Sequence, residues 1–119
     1  MIVGQKLDSR ELLLHIYSAF NARDIDTAFE VIHPEAEWAN GMEGGLVLGH
    51  EGIREYWSRQ WSYINWHVTP MNFERDDAGH FVVDAHQIIR DLSGNIVSIK
   101  DVQHVFYIED GLIRNMRIR

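Results

Sequence analysis

The chain contains no cysteine and only two prolines, and it has no apolar run approaching the ~20 residues of a membrane-spanning helix. The missing cysteine excludes disulfides, thiolate zinc sites and a cysteine nucleophile together. Met1 to Lys6 carry no apolar leader run, so a cytoplasmic location is the default expectation. Positive charge is also scarce. Eleven Lys and Arg stand against eighteen Asp and Glu, and the net charge of −7 repels nucleic-acid backbones and anionic lipid surfaces. The one basic cluster, Arg114, Arg117 and Arg119, falls in a segment that reads as a strand. We expect these to be solvated or interfacial charges, with neither nucleic acid nor membrane as a partner. There is no phosphate-binding glycine loop, no dinucleotide fingerprint and no Gly-x-Ser-x-Gly elbow. The histidines His15, His33, His50, His67, His80, His86 and His104 are scattered without the spacing of a helical zinc pair, so no metal or organic cofactor is expected.

With 45% hydrophobic and 24% charged residues, the 119-residue chain reads as one globular domain over 1–119. Asp8 followed by Glu11 makes a capping box, and Leu12, Leu13, Ile16, Tyr17 and Phe20 recur at helical spacing, which predicts a helix over 9–22. Asp24 and Asp26 can cap a second helix whose apolar residues are Ile25, Ala28, Phe29 and Ile32, with Pro34 as its stop. Glu35 to Trp38 reads as a short extended piece. Asn40 to Gly49 holds Gly41, Gly44, Gly45 and Gly49, which suits a mobile loop over a pocket mouth. A third helix starts at Gly52 with a stripe of Ile53, Tyr56, Trp57, Gln60, Trp61 and Ile64.

The remainder alternates at period two and predicts a four-stranded meander over 67–75, 80–90, 96–108 and 112–118. Helices first and strands afterwards argue for an α+β fold, with three N-terminal helices packed on a curved antiparallel sheet. In the third strand, Val102, His104, Phe106 and Ile108 should face the helices. Asp101, Gln103, Val105 and Tyr107 form a half-polar opposite face that suits a subunit interface, so a homodimer through the sheet is expected.

Two polar residues fall on inward rows: His104, and Gln87 among Phe81, Val83, Ala85 and Ile89. Either they satisfy each other or a buried water, or they meet a ligand. His104 can exchange a proton near neutral pH, whereas Gln87 can only orient or polarise. Asn40, at the start of the glycine loop, is either a turn residue or a third polar group of the same cavity. Trp38, Tyr17, Tyr56, Trp57, Trp61, Phe106 and Met116 are the candidate apolar walls. Asp84 reads as outward-facing and would turn inward only if the register slipped by one.

Four segments carry a family resemblance: Tyr17-Ser-Ala-Phe-Asn-Ala-Arg-Asp-Ile-Asp, His33-Pro-Glu-Ala-Glu-Trp, Gly49-His-Glu-Gly-Ile-Arg-Glu-Tyr-Trp and His104-Val-Phe-Tyr-Ile-Glu-Asp-Gly-Leu-Ile. Together they resemble the nuclear-transport-factor-2-like superfamily, and within it proteins similar to the polyketide cyclase SnoaL and to ketosteroid isomerase. The resemblance implies a cone-shaped barrel with a pocket. It implies either an enzyme of cyclase or isomerase type, using acid–base chemistry on a small apolar carbonyl compound, or a non-catalytic ligand binder or dimerisation module on the same scaffold. The aspartate base of ketosteroid isomerases matches Asn40 here, and an amide cannot serve as that base. Their oxyanion tyrosine matches Ile16, one residue from Tyr17. Their oxyanion aspartate, and the acidic residue of SnoaL-like cyclases, fall where this chain has His104.

Overall fold

The computed structural model describes residues 8–119, and the reading of Met1 to Lys6 lies outside them. Helix α1 (Ser9–Asn21) opens on the expected capping box: Asp8 accepts from the Glu11 amide at 2.8 Å, and the Asp8 amide donates back to the Glu11 carboxylate at 3.3 Å. Its Leu12, Leu13, Ile16, Tyr17 and Phe20 are buried on one stripe. Asp24 caps the short α2 (Ile25–Phe29), while Asp26 lies in its first turn.

The chain then departs from the expected stop at Pro34. Helix α2 closes through tight Glu30-to-Thr27 and Val31-to-Ala28 bonds, and Ile32 already belongs to strand β1 (Ile32–Ala39), so Pro34 sits in a strand. The expected glycine loop is also more ordered than expected. Asn40 exchanges backbone bonds with Gly44 and Gly45, and β2 (Leu46–Leu48) pairs back on β1 as a small hairpin. Helix α3 (Gly49–Trp61) starts three residues earlier than Gly52 and buries Ile53, Tyr56, Trp57 and Trp61; Ile64 has left its stripe and opens β3. Gly49 is required at that start. Its φ is +69°, and a Cβ there would stand 2.8 Å from the Pro34 carbonyl oxygen.

Strands β3 (Ile64–Arg75), β4 (Phe81–Asp91), β5 (Ile96–Glu109) and β6 (Leu112–Ile118) form the expected meander. Asp76 and Asp91 fold the first two turns by accepting local backbone amides. Asp110 and Gly111 form the third, both at positive φ, as a two-residue hairpin turn requires.

The sheet runs β2-β1-β6-β5-β4-β3 and is open, not a closed barrel. All neighbours are antiparallel except β1 and β6, whose parallel pairing sets Trp38 beside Met116. A parallel pair needs a long connection, here the whole of β2 through β5, and period-two alternation carries no sign of it. Three helices on one face of this mixed sheet make an α+β, nuclear-transport-factor-2-like fold. The β4–β5 register puts Val83 opposite His104, Ala85 opposite Val102 and Gln87 opposite Lys100, so all six project toward the helix-covered side.

Candidate functional site

The helices and the inner rows of the sheet enclose a cavity of about 420 Å³. Its walls are Ile16, Tyr17 and Phe20 from α1, Tyr56 and Trp57 from α3, Trp38 from β1, Val102 and Phe106 from β5, and Met116 from β6. Trp38 meets both Trp57 and Phe106 edge-on, which keeps the aromatic walls in fixed orientations. Exposed Leu46, Lys100 and Ile118 also line the cavity and mark its open end.

His104 lies within this lining at 9% exposure. Its Nδ1 is 2.6 Å from the Tyr17 hydroxyl, itself buried, and the two rings stack at 5.8 Å. Desolvation governs both groups. It depresses the imidazole pKa to about 4 and pushes the Tyr17 phenol well above its ordinary value, so both are neutral at pH 7. A neutral phenol has one hydrogen to place, and Nδ1 is its only partner among the described residues. The hydroxyl therefore donates to Nδ1, the ring hydrogen sits on Nε2, and Nε2 has no protein partner among the described residues. The result is a hydrogen-bond donor, held in orientation by Tyr17, on a residue that lines the cavity.

The other polar candidates are placed differently. Asn40 is 8% exposed and lines the cavity, yet its Oδ1 accepts from the amides of Met42 and Glu43 and its Nδ2 donates to Glu43 Oε1 at 2.9 Å. Most of its capacity is spent on folding the hairpin. Glu43 is fixed in turn by Asn40 and by Arg59 Nη2 at 2.5 Å, which hold its carboxyl below the usual range. Gln87 does not meet His104. Its Oε1 accepts from the Trp66 indole at 3.0 Å, leaving the NH₂ group without a partner among the described residues.

Trp61 packs on Phe20 and Trp57 and does not line the cavity. Tyr56 does, and its buried hydroxyl has no hydrogen-bond partner among the described residues. Burial pushes that hydroxyl up to about 12. The cavity therefore offers neutral donors, and no Asp or Glu lines it among the described residues. No three His, Cys, Asp or Glu side chains there are grouped to hold a metal ion.

Sequence reasoning left His104 to Gln87, a buried water or a ligand, and missed its bond to Tyr17, eighty-seven residues away. It also missed Trp66, Val68, Met42 and Lys100 in the lining. Lys100 was accessible by parity, since it shares the alternating row of Val102 and His104. On the outer face, Asp84 accepts from Gln103 at 2.7 Å. Arg114, Arg117 and Arg119 bond to Glu35, Glu37 and Gln103.

The fold recurs in solved structures. TerC, co-crystallised with polyporic acid, is 27% identical, with a TM-score of 0.80 over 92% of this chain and 88% of that one. An NTF2-like protein of Burkholderia pseudomallei is 20% identical, with a TM-score of 0.79 over 92% and 88% of the two chains. RV0760c of Mycobacterium tuberculosis, in complex with estradiol-17beta-hemisuccinate, is 13% identical, with a TM-score of 0.79 over 96% and 93%. No curated protein matches the chain in sequence. Residues 13–116, which hold most of the helices, the sheet and the cavity lining, match the model of the SnoaL-like domain: the chain belongs to the SnoaL-like domain family.

Proposed function

We propose that this protein, a single domain over 1–119, binds a small, largely apolar carbonyl compound in the cavity and acts on it by cyclase- or isomerase-type acid–base chemistry. The observation that carries the reading is the Tyr17–His104 hydrogen bond of 2.6 Å in the wall of an aromatic-lined cavity. In this reading Nε2–H donates to the carbonyl oxygen of the ligand and stabilises the negative charge that develops there as solvent hydroxide or water, entering at the open mouth, takes the α-proton. Accepting a proton at Nε2 requires the other tautomer, with Nδ1–H donating to the Tyr17 oxygen. That form strands the phenol hydrogen, so the resting pair favours donation. Gln87 supplies a further neutral donor, and Asn40 contributes by holding the hairpin at the mouth. The polyporic acid co-crystallised with TerC and the estradiol-17beta-hemisuccinate held by RV0760c support a small-molecule ligand.

Hydrogen–deuterium exchange at the α-carbon of 1-indanone, followed by NMR, tests this directly. Exchange above the buffer rate, lost in His104→Leu, is the expected result; identical rates with and without protein remove the catalytic reading. The second reading, a binder without turnover, is favoured by the lack of any carboxylate base in the described lining. It predicts saturable 1-indanone binding without exchange.

The proposal includes a homodimer through the outer sheet face, supported by exposed Tyr107 and Met71 beside half-buried Val105 and Gln103. Light scattering at micromolar concentration that shows monomer alone removes it. Of membrane association, the described helices say only that none is long and apolar enough to cross. A cytoplasmic location is part of the same proposal, and cell fractionation checks it.

A further inference from the structure

We infer that the ligand of this cavity is an acid: a flat apolar body whose far end carries a carboxylate, received at the mouth by Lys100 with Gln87. The inference rests on the reading of the cavity as a small-molecule site and adds the ligand's charge and polarity. Lys100 lies on β5 in the inward row of Val102 and His104, and it lines the cavity although its side chain is exposed. It is the only lysine among the described residues, in a chain of net charge −7. Of the nine arginines, Arg54, Arg59 and Arg117 pair with carboxylates, and each of the other six bonds an amide or carbonyl oxygen or lies over an aromatic ring. Lys100 makes no such contact among the described residues. Its sequence neighbour Asp101 projects to the opposite face and is engaged by His86 at 2.8 Å. The cavity end of the row is thus left with an uncompensated positive charge.

A second donor stands beside it. Gln87 is the direct cross-strand partner of Lys100, and both line the cavity. The Trp66 indole can only donate, so its 3.0 Å bond fixes Gln87 Oε1 and leaves the NH₂ group as the free end. An ammonium and an amide NH₂ on paired residues suit the two oxygens of one carboxylate, and neither offers an acceptor to a neutral donor ligand. Four residues of strand separate Lys100 from His104, roughly 13 Å between Cα atoms. The ligand therefore spans from the neutral donor at His104 to the charged end at Lys100, with its apolar body between the aromatic walls.

The probes are ω-(2-naphthyl)alkanoic acids of increasing chain length, each paired with its primary amide and titrated calorimetrically at low and high salt. The acid should bind about tenfold more tightly than the amide at the chain length that reaches the mouth, an advantage that shrinks as salt rises. Lys100→Gln should abolish the advantage and Gln87→Leu should reduce it. Equal affinity of acid and amide for the unaltered protein would overturn the inference while leaving the cavity reading intact. An advantage that survives Lys100→Gln would overturn it too, and a variant that weakens acid and amide alike would assign Lys100 to packing. Failure of every naphthyl compound to bind would remove the cavity reading and this inference with it.

Discussion

The two faces of the sheet handle the same residue type in opposite ways. On the inner face His104 is surrounded by apolar walls and bonds to a neutral phenol. On the outer face His86 bonds to the carboxylate of exposed Asp101. They lie on adjacent strands, so local chain geometry does not separate them; solvent does. Where water is excluded, a charged partner would itself have to be desolvated, and the affordable solution is a pair of neutral groups with matched hydrogen bonds. Where water is present, charges pair at little cost and little gain.

The largest expected effect comes from setting neighbours on β5 against each other. Phe106→Ala empties a buried site that touches Tyr17 and Trp38, and should cost about 3–5 kcal/mol. Tyr107→Ala, one residue on and facing out, should cost no more than about 1 kcal/mol. Urea unfolding of both variants at low protein concentration measures this, and similar losses would break the contrast between the faces.

A smaller effect follows from pH. The folded pKa of His104, about 4, lies below its ordinary value of 6.5, so as pH falls the unfolded chain takes up this proton first. The contribution is complete above pH 6.5, drains between about 6.5 and 4, and is flat below. Over that window it amounts to about 3 kcal/mol. Urea midpoints measured across the window should fall for the unaltered protein and fall less for His104→Gln. His86→Gln should leave the slope nearly as it was, since it removes only an exposed pair.

The contrast also explains what could be read before the fold was known. Period-two alternation assigned His104 and Gln87 to the inner row and Asp84 to the outer one, because one face of these strands is covered and the other is not. Helical spacing likewise found Tyr17 and the stripe of α3. What alternation cannot carry is the partner across the cavity. The bond between Tyr17 and His104 joins a helix to a strand, and Gln87, for which alternation leaves His104, a water or a ligand equally open, is held by Trp66 on the neighbouring strand. The β1–β6 pairing was hidden for the same reason, being a contact between the first and last strands in chain order. Asn40 looked equally suited to a turn or a site, and the deciding acceptors were the amides of Met42 and Glu43, two and three residues ahead.

Tyr17→Phe isolates the inner hydrogen bond while keeping the ring. It leaves Nδ1 without its donor, and one unsatisfied buried acceptor costs about 1–3 kcal/mol. It also releases the tautomer, so the nitrogen-15 shifts of the His104 ring should move from one fixed form toward a mixture. A fixed Nε2–H form in the variant would mean that something other than Tyr17 orients the ring.

The smallest effect is expected at the mouth, and it separates the two roles open to Asn40. Asn40→Asp keeps an oxygen for the Met42 and Glu43 amides, so the turn survives. It loses the Nδ2 bond to Glu43 and sets a carboxylate at a buried position against half-exposed Glu43, which Arg59 also binds. The repulsion should destabilise the protein by about 1 kcal/mol or less. Glu43→Gln removes the opposing charge and can donate to the new carboxylate, so the double variant should recover much of that loss. A double-mutant cycle in urea checks the coupling. Strong coupling with unchanged 1-indanone binding identifies Asn40 as the residue that folds the hairpin. Weak coupling, with binding altered in Asn40→Asp alone, would move it into the site beside His104.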